Sequence, residues 1–410
     1  MESPDPQVVS RSVIQQDKMQ DQTRCRRGSA ESVRDLGGMA TAVEYGDELF
    51  AKKVPRLACV TLALVALGFV SLDRARADDS KTQIVPVQAS TIPANGDLNP
   101  YGVTFVPAGF PTGGATSAGD VLVSNFNAKN NVQGTGTTIV RVTPNGARSL
   151  FFKGTTTPLG LTTALGVLSK GFVIVGNLPT DQNGAPLQGS LIILDKNGSV
   201  FATLTDSSLL DGPWDLTVFE AGDLAQVFVS CVLNGTVTRI DLIVSDSGLA
   251  VHDMVKVASG YQFGLNTAAL VVGPTGVAYD PVSDILYVAS TLDNKIYGVP
   301  HAGSNSSSGT GAVVYQDNNH LHGPLGLVIA PNGHLISSQG DAINPSKDPA
   351  QQSEIVEFTK NGKFVGQFSL DSATGGAFGI ALQSVENGVV DLAAVNDATN
   401  ALSIFELTVN

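Results

Sequence analysis

The chain has 410 residues, 42% of them hydrophobic, and its 37 Asp and Glu outnumber 24 Lys and Arg for a formal net charge of −13 at pH 7. An acidic surface repels phosphate backbones and anionic headgroups, which excludes nucleic acid and anionic membrane as partners. Of the three cysteines only Cys231 lies beyond residue 77, so the body of the chain has no internal disulfide and is held by its core.

Residues 1–50 are polar and mixed in charge with no sustained periodicity, and read as disordered or as an over-long start, with Met39 an alternative beginning. Residues 51–77 have the three parts of a signal peptide. Lys52, Lys53 and Arg56 precede the apolar run 57–70, LACVTLALVALGFV, and the small-x-small site Ala75-Arg76-Ala77 follows it. The run is shorter than the roughly 20 residues of a membrane span. These features predict a soluble, monomeric chain beginning at Asp78, exported to the periplasm or outside a bacterial cell, with no membrane span after processing. The lack of paired cysteines agrees with bacterial rather than eukaryotic export.

Residues 78–410 are repetitive. A spare strand, TQIVPVQA at 82–89, comes first. Copy one then runs NPYGVTFV (from 99), DVLVSN, TTIVRVTPNG and RSLFFKG, and copy two TPLGLTTAL (from 157), GFVIVGN, GSLIILDKNG and SVFATLTD. Copy three reads GPWDLTVF (from 212), AQVFVSC, GTVTRIDLIV and HDMVKVA, and copy four GPTGVAYD (from 273), DILYVAS, NKIYGVPHAG and AVVYQD. Copy five is GPLGLVIA (from 323), HLISSQ, SEIVEFTKNG and FVGQFSL. Copy six, GAFGIALQ (from 376), VDLAAVN and ALSIFELTV, stops after three.

Short runs of β-branched and aromatic residues bounded by Gly, Pro, Asn and Asp are strands, and the Asn-Gly pairs after third strands are hairpin turns. No stretch beyond the leader has a helical apolar period, so helix is minor. Four-stranded units repeated about an axis make a six-bladed β-propeller, an all-β fold in which each blade covers its neighbours. The sixth copy lacks a fourth strand. The spare strand near 82–89 is therefore expected to pair with the segment near 402–408 and close the ring without a free edge.

The stretch GPTGVAYDPVSDILYVASTLDNKIYGV resembles the NHL repeat at Gly273, Pro274, Gly276, Val277, Ala278, Asp280, Tyr287, Val288, Ala289 and Ile296. The other copies share its strand pattern and their opening. The resemblance implies a six-bladed propeller of a kind that hosts binders, lactonases and lyases alike. Where the family has an aspartate after the second strand, this chain has Asn125, Asn177, Cys231, Ser290, Gln339 and Asn396. The channel end is thus expected to be ringed by neutral polar groups. Related gluconolactonase-like propellers hold a divalent cation there with Glu, Asn and Asp, but no glutamate opens an inner strand here. Asn125, Asn177 and Asn396 would supply only part of such a set.

Loops before first strands and between second and third strands share one end of a propeller, and loop residues there commonly carry function. His320 and His322 of HLHG precede the fifth blade; in an extended segment both point one way and suit a shared metal, with Asp341 and Gln339 completing the shell. Streptogramin-lyase-like propellers use histidines and an acid at this end. Loop histidines bonded to backbone are the simpler alternative. Trp214 and Asp215 interrupt the pattern, since the position of Asp215 is Gly102, Gly160, Gly276, Gly326 and Gly379 in the other copies. With Tyr101 and Phe378 in register with Trp214, they are expected to form an aromatic floor with one carboxylate at a mouth the glycines keep open. Inter-blade packing is the competing reading. Cys231, with no base beside it, reads as a buried core thiol.

The sequence therefore points to an exported propeller that binds a small molecule, glycan or peptide at the loop end of its channel. A metal-assisted lactonase or lyase at the same end is the alternative, and a structural or protein-interaction module a further one. No fixed cofactor is expected in the first reading, and a divalent cation in the second.

Overall fold

The computed structural model describes residues 87–155, 158–306, 309–385 and 389–408. The expected leader, its cleavage site and residues 82–86 of the spare strand lie outside them. A short strand, β1 (Val87–Ser90), comes first. Blade 1 follows as β2 (Leu98–Phe105), β3 (Val121–Asn127), β4 (Thr138–Val142) and β5 (Arg148–Lys153). Blade 2 is β6 (Leu161–Leu168), β7 (Phe172–Asn177), β8 (Ser190–Asp195) and β9 (Val200–Leu204). Blade 3 is β10 (Pro213–Ala221), β11 (Leu224–Cys231), β12 (Thr236–Ser245) and β13 (Gly248–Ser259).

A two-stranded hairpin that the repeat did not announce, β14 (Gly264–Asn266) and β15 (Leu270–Val272), separates blades 3 and 4. Blade 4 is β16 (Pro274–Asp280), β17 (Ile285–Ser290), β18 (Lys295–Pro300) and β19 (Ala312–Tyr315). Blade 5 is β20 (Pro324–Ile329), β21 (Leu335–Gln339), β22 (Glu354–Phe358) and β23 (Phe364–Ser369). Blade 6 supplies β24 (Ala377–Ser384), β25 (Val389–Asn396) and β26 (Ala401–Thr408). The only helical element among the described residues is a 3₁₀ turn, Pro349–Gln351. No described helix is long and apolar enough to cross a membrane.

Each blade is an antiparallel four-stranded sheet, and the sixth takes β1 as its outer strand, in the order β1-β26-β25-β24. Val87 faces Ile404 and Ser90 faces Ala401, so the ring closes by the pairing the missing strand demanded. Inner strands touch around the whole ring, from β2 through β6, β10, β16, β20 and β24 back to β2. The chain is a six-bladed β-propeller.

Every inner strand breaks register near its start, for example between Pro100 and Val103, Pro213 and Leu216, and Pro324 and Leu327. Such a bulge bends the strand and re-aims one side chain. In every blade but the second it falls on the repeated motif that opens the strand; in blade 2 it comes just after, between Leu161 and Leu165.

Candidate functional site at the loop end

The bulges turn Tyr101, Trp214, Leu325 and Phe378 into one apolar cluster with Phe126, Leu178 and Val232. Tyr101 stacks on Phe378 at 4.0 Å between ring centroids and on Phe126 at 4.6 Å, while Trp214 meets Phe126 edge-on at 5.5 Å. Residues from four separate blades meet this way only at the axis. The structure brings Trp214, Tyr101 and Phe378 together, but the open mouth is corrected: the cluster is packed, and Trp214 is 2% exposed.

The glycines do not hold a channel open; they let neighbouring backbones approach. A Cβ on Gly276 would lie 2.1 Å from the Leu325 carbonyl oxygen, and one on Gly379 2.1 Å from that of Tyr101. Asp215 does not line a mouth either. It is buried, and its carboxylate accepts from the backbone N–H of Leu216 at 2.8 Å and from that of Val277 in blade 4. Burial pushes its pKa up to about 8, because the charged form loses its hydration. Hydroxyls make comparable links between other blades: Ser124 donates to the Thr162 carbonyl at 2.8 Å, and Thr162 to that of Pro213 at 2.9 Å.

The asparagines are also committed to the fold. Asn125 donates to Thr91 and Thr138, Asn177 accepts from Gly160 N–H and donates to Ser190, and Asn396 donates to Asp371. They do not make a hydrated polar ring, and set against an apolar axis they do not fit the cation set of the gluconolactonase-like propellers. Asn177 does line a cavity of about 500 Å³ between blades 1 and 2, with Lys153, Leu159 and Ser190. Cys231 is a buried thiol donating to the Leu209 carbonyl. Burial pushes its pKa up to about 12, so it stays protonated.

The histidine pair is divided. His320 stacks on Phe364 at 3.8 Å and holds Asp317 through Nδ1 at 2.5 Å. His322 turns inward, and its Nδ1 meets the Asn344 carbonyl oxygen at 2.5 Å. The shared metal between the two rings is therefore corrected: the segment before blade 5 is not extended, and the rings serve different neighbours. No group of three or more His, Cys, Asp and Glu among the described residues is arranged to hold a metal ion.

What gathers around His322 instead is a buried acidic set. Its Nε2 lies 3.7 Å from Oε1 of Glu354, the first residue of β22. Asp341, on the loop after β21, accepts from the N–H groups of Ser353 and Gly375, each at 2.9 Å, through Oδ2. Gln339 accepts from the His322 N–H at 3.0 Å. Four buried atoms remain without a hydrogen-bond partner: His322 Nε2, Asp341 Oδ1 and both Glu354 carboxylate oxygens. Because Nδ1 faces a carbonyl it carries the proton in neutral His322, which leaves Nε2 as a bare acceptor. With both carboxyls ionised, all four atoms are acceptors. Burial, helped by the charge of Asp341, pushes the Glu354 pKa up to about 8, and burial raises that of Asp341.

The backbone around this set is unusual. Asp341, Asn344 and Ser353 all sit in the left-handed region, at φ 54°, 53° and 53°. Such conformations concentrate where a fold holds a functional geometry. Sequence reasoning reached His322 and Asp341 but missed Glu354 and Asn344. A signal existed, since Thr138, Ser190, Thr236, Lys295 and Ala401 open the third strands of the other blades and Glu354 is the one acid among them. Asp397, also missed, follows β25; burial and the charge of Asp371 push its pKa up to about 7.

No protein-family model matches the chain, and no curated protein matches it in sequence. Among solved structures it is similar to a virginiamycin B lyase from Staphylococcus aureus at 12% identity, over 78% of this chain and 98% of that one, with a TM-score of 0.45. A calcium-binding regucalcin from Agrobacterium tumefaciens matches at 13% identity over 80% and 98%, with a TM-score of 0.46. A gluconolactonase from Xanthomonas campestris matches at 14% identity over 76% and 86%, with a TM-score of 0.46. These likenesses concern the path of the chain alone.

Proposed function

We propose that this chain is an exported binding propeller, and that the loop end of blade 5 seats a donor-bearing, cationic group of a small molecule, glycan or peptide. The observation that carries this reading is the convergence of four buried, unpaired atoms of His322, Asp341 and Glu354, all of them acceptors once Glu354 is ionised. Leaving buried polar groups unsatisfied costs on the order of 1–3 kcal/mol each. An ammonium group supplies three donors and an opposite charge, so it is the chemistry that answers the site.

Binding an ammonium at pH 7 favours the ionised carboxylate, so Glu354 gives up its proton as the ligand enters. Calorimetry of wild type with a panel of small amines and amino sugars, in two buffers of different ionisation enthalpy, reads both binding and proton release. Glu354→Gln is expected to weaken binding by at least about tenfold and to abolish the buffer dependence, while melting no lower than wild type at pH 7. Silence with every amine, or an unchanged Glu354→Gln titration, overturns the reading.

A lactonase or lyase at the same end is the second reading. It is favoured by His322, whose Nδ1 is fixed on the Asn344 carbonyl while Nε2 is left bare, the arrangement of a general base oriented by a second group. The donor set is not arranged as a metal shell, so no metal-dependent step is assigned. A lactone-hydrolysis screen with and without chelator, repeated on His322→Gln, decides it: this reading expects turnover that chelator leaves intact and the variant loses.

A further inference from the structure

The β14–β15 hairpin belongs to no blade; its two strands pair only with each other. It springs from the junction of blades 3 and 4, yet at its tip the Ala268 carbonyl accepts from Nε2 of Gln133 at 3.0 Å. Gln133 lies on the β3–β4 loop of blade 1, which stands opposite blade 4 in a ring of six. The hairpin therefore crosses the axis at the loop end. Val271, with Leu270 beside it, packs onto the cluster that holds Tyr101, Phe126, Trp214 and Phe378.

The base of the hairpin is buried through Val271 and Val272, but the polar hold on its tip is slight. The Gln133–Ala268 bond is exposed to solvent. Leu270, which starts β15, has φ 60°, a left-handed conformation that a branched apolar residue adopts only when its surroundings impose it. Leu265, the cross-strand partner of Val271, is 76% exposed. Beneath it, the Trp214 indole N–H is buried and has no acceptor. A stack of flat rings with a single unanswered donor is the composition of a pocket for a flat ring carrying one acceptor.

We propose that the β14–β15 hairpin is a lid, and that in its open state the aromatic cluster on the axis takes a planar aromatic ligand whose oxygen or nitrogen accepts from Trp214 Nε1. This goes beyond the blade 5 reading and uses none of His322, Asp341 or Glu354. Closed, the lid lets Val271 fill the place of the ligand. Open, it relieves Leu270 and exposes the rings.

Trp214 is the one tryptophan of the chain, so its fluorescence reports the lid directly. In wild type its emission should be that of a buried indole, with little quenching by acrylamide. Gln133→Ala removes only the exposed tip bond. It is expected to raise acrylamide quenching and tighten binding of 2-naphthol by the same factor, roughly two- to tenfold, the population shift that losing one ordinary hydrogen bond produces. In a second variant, Gln133→Cys with Ala268→Cys in a chain whose Cys25 and Cys59 are changed to Ser, a short bismaleimide ties the tip down; native Cys231 is buried and does not compete. The cross-linked protein should lose 2-naphthol binding, and the same variant without cross-linker should keep it. Equal binding with and without the cross-link, failure of 2-naphthol to bind any form, or quenching unmoved in Gln133→Ala overturns the lid. Glu354→Gln should leave all these signals unchanged, which separates this test from that of blade 5.

Discussion

Trp214 and Asp215 show how a residue can be singled out correctly and its role remain undecided. Their departure from the Pro-x-Gly pattern is visible in the sequence; whether they face water is not, because that depends on rings contributed by distant blades. Trp214→Ala removes the edge-on partner of Phe126. A loss of about 3–5 kcal/mol is expected by denaturant unfolding, as for other large buried aromatics. Asp215 is a test of pH. Its folded pKa of about 8 lies above the ordinary carboxylate value, so the native state holds a proton that the unfolded chain releases. Its contribution to stability is present at acid pH and declines as pH rises from about 4 towards 8. Asp215→Asn lacks this decline. Its melting temperature should therefore gain on wild type steadily between pH 5 and pH 8; a constant difference would mean that Asp215 ionises freely.

At the scale of the element, the repeated Pro-x-Gly has a structural rather than a functional explanation. In blades 1, 3, 5 and 6, x joins the axial cluster, and the glycine admits the backbone of the next blade. Gly276→Ala and Gly379→Ala would each press a methyl group against a carbonyl oxygen of the adjoining inner strand. Overpacking of this kind costs about 1–3 kcal/mol. A Cβ on Gly366, in the outer strand β23, meets nothing within 4 Å, so Gly366→Ala is the control and should unfold at the wild-type midpoint or above it. The pattern itself was legible in the sequence, as was its tie to the inner strand. The bulge was not, because it reflects close approach between neighbouring strands rather than local propensity. The β14–β15 hairpin escaped for a related reason: each strand has three residues, too few for alternation to register.

At the scale of the molecule, the ring is held by the pairing of β1 with β26 and by the passage from β24 to β2. Removing residues 82–90 would strip the outer strand from blade 6, expose the edge of β26 and uncover the core around Ala89, Leu402 and Ile404. The truncated protein should melt markedly lower and self-associate on heating, by light scattering; a melting curve that overlays wild type would show that the closure contributes little. The buried carboxyls of Asp215, Glu354 and Asp397, with pKa values of about 8, 8 and 7, act together in the other global property. All three are raised, so without ligand the whole protein should be most stable in mild acid and weaken towards pH 8.

The sequence alone determined the architecture: six copies of a strand pattern, turn chemistry between them, and a first strand to complete the last blade. Those features are local, written in periodicity and in Gly, Pro and Asn, and a short window of residues suffices to express them. It also marked Trp214 and Asp215, because they break a pattern that can be counted, and His322 and Asp341, because their chemistry stands out on loops of one end. Only the tertiary structure decided what these residues face. It filled the axis with rings drawn from three blades, sent His320 to Phe364, and brought Glu354 from the third strand of blade 5 to His322. Burial and hydrogen-bond partnership arise between segments far apart in the chain, and a residue's own neighbours in sequence do not encode which distant groups will surround it.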